Sequence, residues 1–400
     1  MTSRPFLNYG RQTIEDDDVA AVSSALRGDF LTTGPLVERF EKAFAKQVGA
    51  EHAIVCNNGT AALYLAARAA GIEPGDSVIV PAMTFVATAS ANVLAGIEVI
   101  FADVNPDTGL METEHAAEAL RRGGKGRVKA IYPVHLAGKV SDPAALHAFA
   151  EDRGLSVIED ACHALGTRYG NAANQVGECA HSLAACFSFH PVKAIAMGEG
   201  GAITTNSSVI AERCRRLRNH GMSKAPERFE NRELAFTADH SVNPWYYEVD
   251  DVSFNFRASD INCALGLSQL GKLDRLLSAR RNLMAHYQGR LVSLSPEIRL
   301  IPPIAGIEPG WHLCSILVDF ETLGIDRFTL MQRLRERGVG TQVHYLPVNL
   351  HPFFRKRYAE IDLPGATAYY RRTLSLPLFP GMSEGDVEWV VDALEKSIGR

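Results

Sequence analysis

Lys193 is the side chain with the most chemistry to account for. It lies in FSFHPVKAIAMGEGGAITT (187–205), between two short apolar runs that read as strands, with Gly198, Gly200 and Gly201 following it. Pro191 breaks regularity just before it, so the lysine falls in an irregular turn with buried flanks. Most lysines are solvated. One held in a low-polarity site gives up its proton readily and can form a Schiff base with a carbonyl. The plain alternative is a surface lysine in a hairpin loop. Ser188 offers a hydroxyl beside it. A second group sits in IEDACHALG (158–166). Asp160 ends an apolar run, and open α/β sheets build their sites at that end of a strand. A carboxylate there can pair with a protonated ring nitrogen, which lets a ring act as an electron sink. His163, three residues on, can hydrogen-bond a ring hydroxyl. The plain alternatives are a helix cap and a packed histidine. In NNGTAAL (57–63), Gly59 allows a tight turn and Thr60 opens a helix. Free N–H groups and the positive end of a helix suit a phosphate, although an ordinary capped helix reads the same way. Phe85, after the run SVIVPAMT, can stack on a flat ring or fill a core.

The elements that must hold these residues are legible between residues 52 and 205. HAIVC, SVIVP, EVIFADV, VKAIYPV, LSVIED, AACFSF and GGAITT are short and rich in β-branched or aromatic residues. Gly, Pro or Asp bounds each of them. Helix-type segments separate most of them. This alternation predicts an α/β fold: a mostly parallel, buried sheet with helices on both faces. Residues 220–258 form a polar and aromatic excursion long enough to act as a lid or binding segment. Within it Trp245, Tyr246 and Tyr247 can pack on a sugar or base, or simply pack a hairpin. A helix pattern resumes at Asp260 and runs on through residue 291. A strand is expected near HLCSILVDF, a helix near RFTLMQRLRERG, a strand near VGTQVHY and a closing helix near SEGDVEWVVDALEKSI. The division expected is a large domain over 13–260 and a smaller C-terminal α/β domain over 261–400, with residues 1–12 packing near the smaller one.

Composition removes several classes. Lys and Arg number 41 against 46 Asp and Glu, a net charge of −5, so nucleic acid is not an expected partner. The run RCRRLR (213–218) suits one solvated helix face. Seven scattered cysteines, without a CxxC, predict neither a disulfide framework nor a metal ribbon; no metal is expected, and a reducing cytoplasm is. No apolar stretch suits a signal peptide or a membrane span, so no membrane association is expected. No GxGxxG follows a strand, which argues against a nicotinamide oxidoreductase.

Taken together, the order and spacing of these groups resemble the DegT-type nucleotide-sugar aminotransferases, which have the pyridoxal-phosphate-dependent transferase fold type I. The resemblance runs from DFLTTGPLVERFEKAFA to SLPLFPGMSEGDV, and FSFHPVKAIAMGEGGAITTN is highly specific for it. It implies pyridoxal 5'-phosphate as cofactor and Lys193 as the Schiff-base lysine that shuttles a proton. It places Asp160 at the ring nitrogen, His163 at the ring hydroxyl, Phe85 on the ring face, and Gly59, Thr60 and Ser188 around the phosphate. It also implies that Asn255, in FNFR, reaches the phosphate held by a neighbouring subunit, making a homodimer necessary. NPWYYE (243–248), VSFNFRASDINCALGLSQL and VHYLPVN (343–349) are similar to the subgroup that serves pseudaminic-acid pathways. Those enzymes aminate C4 of a UDP-linked 4-keto-6-deoxy-N-acetylhexosamine, with L-glutamate as donor, for surface polysaccharide or flagellar glycan biosynthesis. On this resemblance His344 and Tyr345, with Trp245 and His220, are the substrate-side candidates. A 4-amino-pentose or GDP-perosamine-type aminotransferase shares the chemistry. A sugar dehydratase of this family carries histidine where Lys193 stands. A non-catalytic regulator would have no need of Asp160, His163 and Lys193 together.

Overall fold

The computed structural model describes residues 4–399 apart from residue 359. Its centre is a seven-stranded sheet. The strands are β1 (His52–Cys56), β2 (Ser77–Pro81), β3 (Glu98–Ala102), β4 (Val128–Ile131) and β5 (Ser156–Asp160), then Ala184–Ser188 and Gly201–Thr205. From one edge they lie in the order β1, Gly201–Thr205, Ala184–Ser188, β5, β4, β2, β3. Every pairing from Ala184–Ser188 to β3 is parallel, and only Gly201–Thr205 runs against its neighbours. SVIVP in β2 is buried at every position, as a strand covered on both faces requires.

Helices α1 (Asp16–Leu26), α2 (Pro35–Val48), α3 (Gly59–Ala69) and α4 (Ala87–Leu94) lie early in the chain. α3, GTAALYLAARA, packs against the sheet, α4 and the helix Ser208–Leu217. Burial on nearly all its faces explains its alanine content, since small side chains let neighbours close in from several sides. The parallel strands open their carboxyl ends on one side of the sheet. Asp160, Ser188 and the residues just beyond β2 are delivered there.

A second sheet, antiparallel, joins Ile298–Leu300, Cys314–Val318 and Thr373–Leu376. The long helix Leu273–Leu291 links the two cores. Leu273, Leu276 and Leu277 belong to the cluster of Phe40 and Phe187, whereas Leu283, Met284 and Tyr287 belong to that of Ile316 and Val391. Near the N-terminus Leu7 bridges to Val339, and the Arg4 guanidinium donates to the Gly385 carbonyl. Residues 1–3 lie outside the described residues.

Two expectations need correction. VGTQVHY is not a strand: Val339 bridges to Leu7 and Gln342 to Ser375 as isolated pairs. Gly340 separates the two bridges, and the chain then leaves the sheet edge so that the Tyr345 N–H meets the Met83 sulfur. The helix pattern from Asp260 is two helices, Asp260–Leu270 and Leu273–Leu291, broken at Gly271. Residues 220–258 hold a short strand pair, Met222–Ser223 with Glu248–Val249, a 3-10 turn, Pro226–Arg228, and one turn of helix, Arg232–Ala235. Among the described residues no helix is long and apolar enough to cross a membrane.

Candidate active site

A cavity of about 650 Å³ opens at the carboxyl ends of the parallel strands. Gly59, Thr60, Phe85, Asp160, His163, Ser188, Lys193, His344 and Tyr345 all line it. Each arrives from a different local device. At the start of α3, the Asn58 side chain accepts the Ala61 N–H at 2.8 Å, which leaves the Gly59 and Thr60 N–H groups without intrahelical partners. Ser188 ends its strand alongside. A Cβ on Gly59 would fall 2.9 Å from Ser188 Cβ, and one on Gly201 would fall 2.4 Å from the Asn58 carbonyl. Both glycines are therefore needed for the helix terminus and the Ser188 hydroxyl to converge. The result is an anion cradle of backbone N–H groups, a hydroxyl and a helix dipole.

Lys193 reaches into the cavity from the turn after Ser188, its own N–H bonded to the His190 carbonyl at 2.8 Å. Removal from water pushes its ammonium below the ordinary lysine value, against the opposing pull of Cys162 and Asp160. The turn is clamped by a residue the sequence did not single out. Arg280 is buried, and its guanidinium donates to the carbonyls of His312, Leu378, Val192 and Lys193. Burial lowers its pKa to about 10.

Asp160 ends β5 and is buried. His163 is buried as well; its Nδ1 lies 3.3 Å from the Ala137 N–H and its Nε2 3.2 Å from the Tyr345 hydroxyl. Ala137 adopts φ +60°, a left-handed backbone that a β-carbon disfavours. Burial, then Lys193 and His344, holds the His163 pKa well below the usual histidine value, so the ring is neutral. A backbone donor at Nδ1 fixes the proton on Nε2. His163 therefore presents an N–H towards the cavity, and the Tyr345 hydroxyl that accepts from it has its own proton to give. His312, which the sequence reading also passed over, packs against His163 with ring centroids 4.3 Å apart and the rings tilted by 50°. Tyr9 and Glu199 were missed too, and both line the cavity.

Phe85 is not a core residue. It is 54% exposed, and its ring forms one wall of the cavity 5.7 Å from that of Tyr345. His344 is buried and shares a 2.9 Å hydrogen bond with the Ser375 hydroxyl; burial drops its pKa to about 3. Asn255, Trp245 and His220 do not line this cavity. Asn255 is exposed, and its Oδ1 accepts the Arg257 N–H. Trp245 is 72% exposed, and His220, also exposed, donates its N–H to the Phe254 carbonyl.

The cavity fits pyridoxal phosphate on its own features: a lysine with a depressed pKa, an anion cradle, an exposed aromatic face and a carboxylate at a strand end. Fold and site together define an α/β enzyme of the pyridoxal-phosphate-dependent transferase fold type I. The chain belongs to the DegT/DnrJ/EryC1/StrS aminotransferase family, whose model matches residues 12–395. It is 38% identical over 394 residues to the spore coat polysaccharide biosynthesis protein SpsC of Bacillus subtilis (strain 168), covering 97% of this chain and 96% of that one. Among solved structures, Helicobacter pylori PseC, an aminotransferase of pseudoaminic acid biosynthesis, superposes with a TM-score of 0.87 at 28% identity, covering 98% of this chain and 99% of that one. DesV of S. venezuelae gives 0.84 at 29% identity, over 99% of this chain and 100% of that one. The protein is accordingly a sugar aminotransferase that uses pyridoxal phosphate.

Proposed function

We propose that the protein moves the amino group of L-glutamate to C4 of a nucleotide-linked 4-keto-6-deoxy sugar, of the UDP-4-keto-6-deoxy-N-acetyl-altrosamine type, for a surface polysaccharide or flagellar glycan. The observation that carries the reading is the convergence of Lys193, Asp160, His163 and the α3 terminus on one cavity. The likeness to SpsC and PseC supports the class of sugar.

Bound pyridoxal phosphate supplies an electron sink and a carrier for the amino group. The N–H groups of Gly59 and Thr60 and the Ser188 hydroxyl hold its phosphate. Phe85 covers one ring face, and Asp160 keeps a proton on the ring nitrogen. His163 would turn its single Nε2–H from the Tyr345 hydroxyl to the ring oxygen. Lys193 Nζ takes the proton from the α-carbon of glutamate and, in the second half of the cycle, delivers one to C4 of the sugar. His344 and Tyr345 face the sugar. Two half-reactions through one cavity require ping-pong kinetics.

We further infer that a second copy of the chain completes the site. Phe30, Leu31, Val252 and Phe254 are exposed apolar side chains on segments joined by the Thr32–Ser259 bridge. Burying them against a second copy would bring Asn255, His220 and Trp245 towards a cavity they do not reach in their own chain. Seven free thiols, six of them buried, agree with the cytoplasmic location we assign.

Nitrogen-15 glutamate tests the substrate. The loaded enzyme is incubated with UDP-, GDP- and TDP-linked 4-keto-6-deoxy sugars and a UDP-linked 4-keto-pentose, and the products are read by mass spectrometry. The reading predicts label on the UDP-linked N-acetylhexosamine above all others. Preferential labelling of a GDP-linked sugar or a pentose would move the protein to a perosamine-type or 4-amino-pentose activity.

A further inference from the structure

Asp160 is gripped by two donors from behind the cavity. Thr88 Oγ1 lies 2.6 Å from Asp160 Oδ2, and the Cys162 N–H reaches Oδ1 at 3.1 Å. Thr88 Oγ1 is also 2.7 Å from Thr84 Oγ1. Both threonines are fully buried. An ionised carboxylate only accepts, so Thr88 is the donor to Asp160. Its single proton is then committed, and Thr84 is left as the donor to Thr88. The Phe85 carbonyl, 3.3 Å from Thr88 Oγ1, competes from a longer distance. The proton order is therefore Thr84 to Thr88 to Asp160, with all dipoles aligned towards the carboxylate. Aligned hydrogen bonds in a buried site strengthen one another, and donors to a carboxylate favour its charged form.

The elements make this arrangement rigid. Thr88 occupies the first turn of α4, and the Asn92 amide donates to the Thr88 carbonyl at 2.8 Å within that helix. Asp160 is fixed at the end of β5, where its own N–H and carbonyl are bonded to Pro133 and His135. A hydroxyl on one rigid element thus meets a carboxylate on another. The remaining lone pairs of Asp160 are those that face the cavity.

We propose that Thr88, oriented by Thr84, is a positioning residue that fixes the Asp160 carboxylate towards the cofactor's ring nitrogen, so that this nitrogen stays protonated. The inference rests on the reading that Asp160 faces that nitrogen. The test separates the two. A positive ring makes the nitrogen that joins the cofactor to Lys193 less basic, and loss of the ring proton makes it more basic. The pH midpoint of the bound cofactor's visible absorbance therefore reports the ring charge without any turnover.

Wild type, Thr88→Val, Thr88→Ser, Thr84→Val and Asp160→Asn, each loaded with pyridoxal phosphate, are titrated by absorbance. Asp160→Asn should raise the midpoint most. Thr88→Val, which keeps the shape and removes the hydroxyl, should raise it by about one pH unit. Thr84→Val should raise it less, and Thr88→Ser should restore the wild-type value. A wild-type midpoint in Thr88→Val beside a shifted Asp160→Asn overturns the role of Thr88 and leaves that of Asp160 intact. An unshifted Asp160→Asn overturns both. If Thr88→Val fails to fold, Thr84→Val decides: a shift upholds the relay and an unchanged midpoint refutes it.

Discussion

A lysine ammonium taken out of water loses hydration that nothing at Lys193 fully replaces. Its pKa falls for that reason, and the same burial makes its nitrogen a readier base and nucleophile than an ordinary lysine's. Asp160 is the complementary case, a buried carboxylate kept useful by donors. Its oxygens already hold Thr88 and Cys162, and its charge is available to one further proton. Asp160→Asn should retain the cofactor and lose about 10²- to 10³-fold in turnover, measured by coupled assay for 2-oxoglutarate. Unchanged turnover would remove Asp160 from the ring nitrogen. Lys193, Asp160 and Gly59 were legible in the sequence because each sits at a strand end with its turn chemistry beside it. Thr88 and Arg280 were not. A threonine in an apolar helix and an arginine in SARRN acquire meaning only from groups distant in sequence: Asp160 for one, the carbonyls of His312 and Leu378 for the other. Arg280→Met should destabilise the fold by about 2–4 kcal/mol in denaturant unfolding, because several buried carbonyls lose their donor. A change below about 0.5 kcal/mol would show that the clamp carries no stability.

Elements, rather than single residues, set the distances in the cavity. α3 starts where β1 ends, and its first turn is pressed against Gly201 and Ser188 without room for a β-carbon at Gly59. That contact was readable as glycines in the right order. The path after residue 338 was not, because alternation in VGTQVHY mimics a strand while its two bridges go to different partners. The loop below His163 is held by Lys139, which is buried and donates to the carbonyls of Ile301 and Pro302 at 3.0 and 3.2 Å. Burial lowers its pKa from 10.5 to about 7. Below about pH 7 both folded and unfolded chains hold that proton. Between about 7 and 10.5 the unfolded chain holds a proton that the folded chain has released, so stability rises with pH through that window. Lys139→Met should lose that rise in urea unfolding at a series of pH values, whatever its absolute stability. A variant that keeps the full wild-type slope would show that Lys139 titrates as an ordinary lysine.

At the scale of the whole molecule, the two sheets and their helices form the cavity between strand ends and the 342–345 segment, yet Asn255, His220 and Trp245 remain outside it. Sequence reading named Asn255 and His220 only through resemblance, and Trp245 also from the aromatic run 245–247; none of the three sits in a motif with turn chemistry beside it. Mixing inactive Lys193→Ala and Asn255→Ala proteins under subunit exchange tests the arrangement. If Asn255 serves the partner's cavity, mixed dimers regain one intact site and the mixture recovers roughly a quarter of wild-type turnover. No recovery would place Asn255 in its own chain's site, and an active Asn255→Ala protein would place it in none. All of this depends on Lys193 as the group that binds the cofactor and moves the proton. The most direct measurement is the visible spectrum of wild type and Lys193→Ala, loaded with pyridoxal phosphate, before and after glutamate and then a 4-keto sugar nucleotide. The account predicts a band in wild type that shifts with glutamate and returns with the sugar, and a folded variant lacking the lysine-bound band and any turnover. A variant with the wild-type band and normal turnover would contradict it.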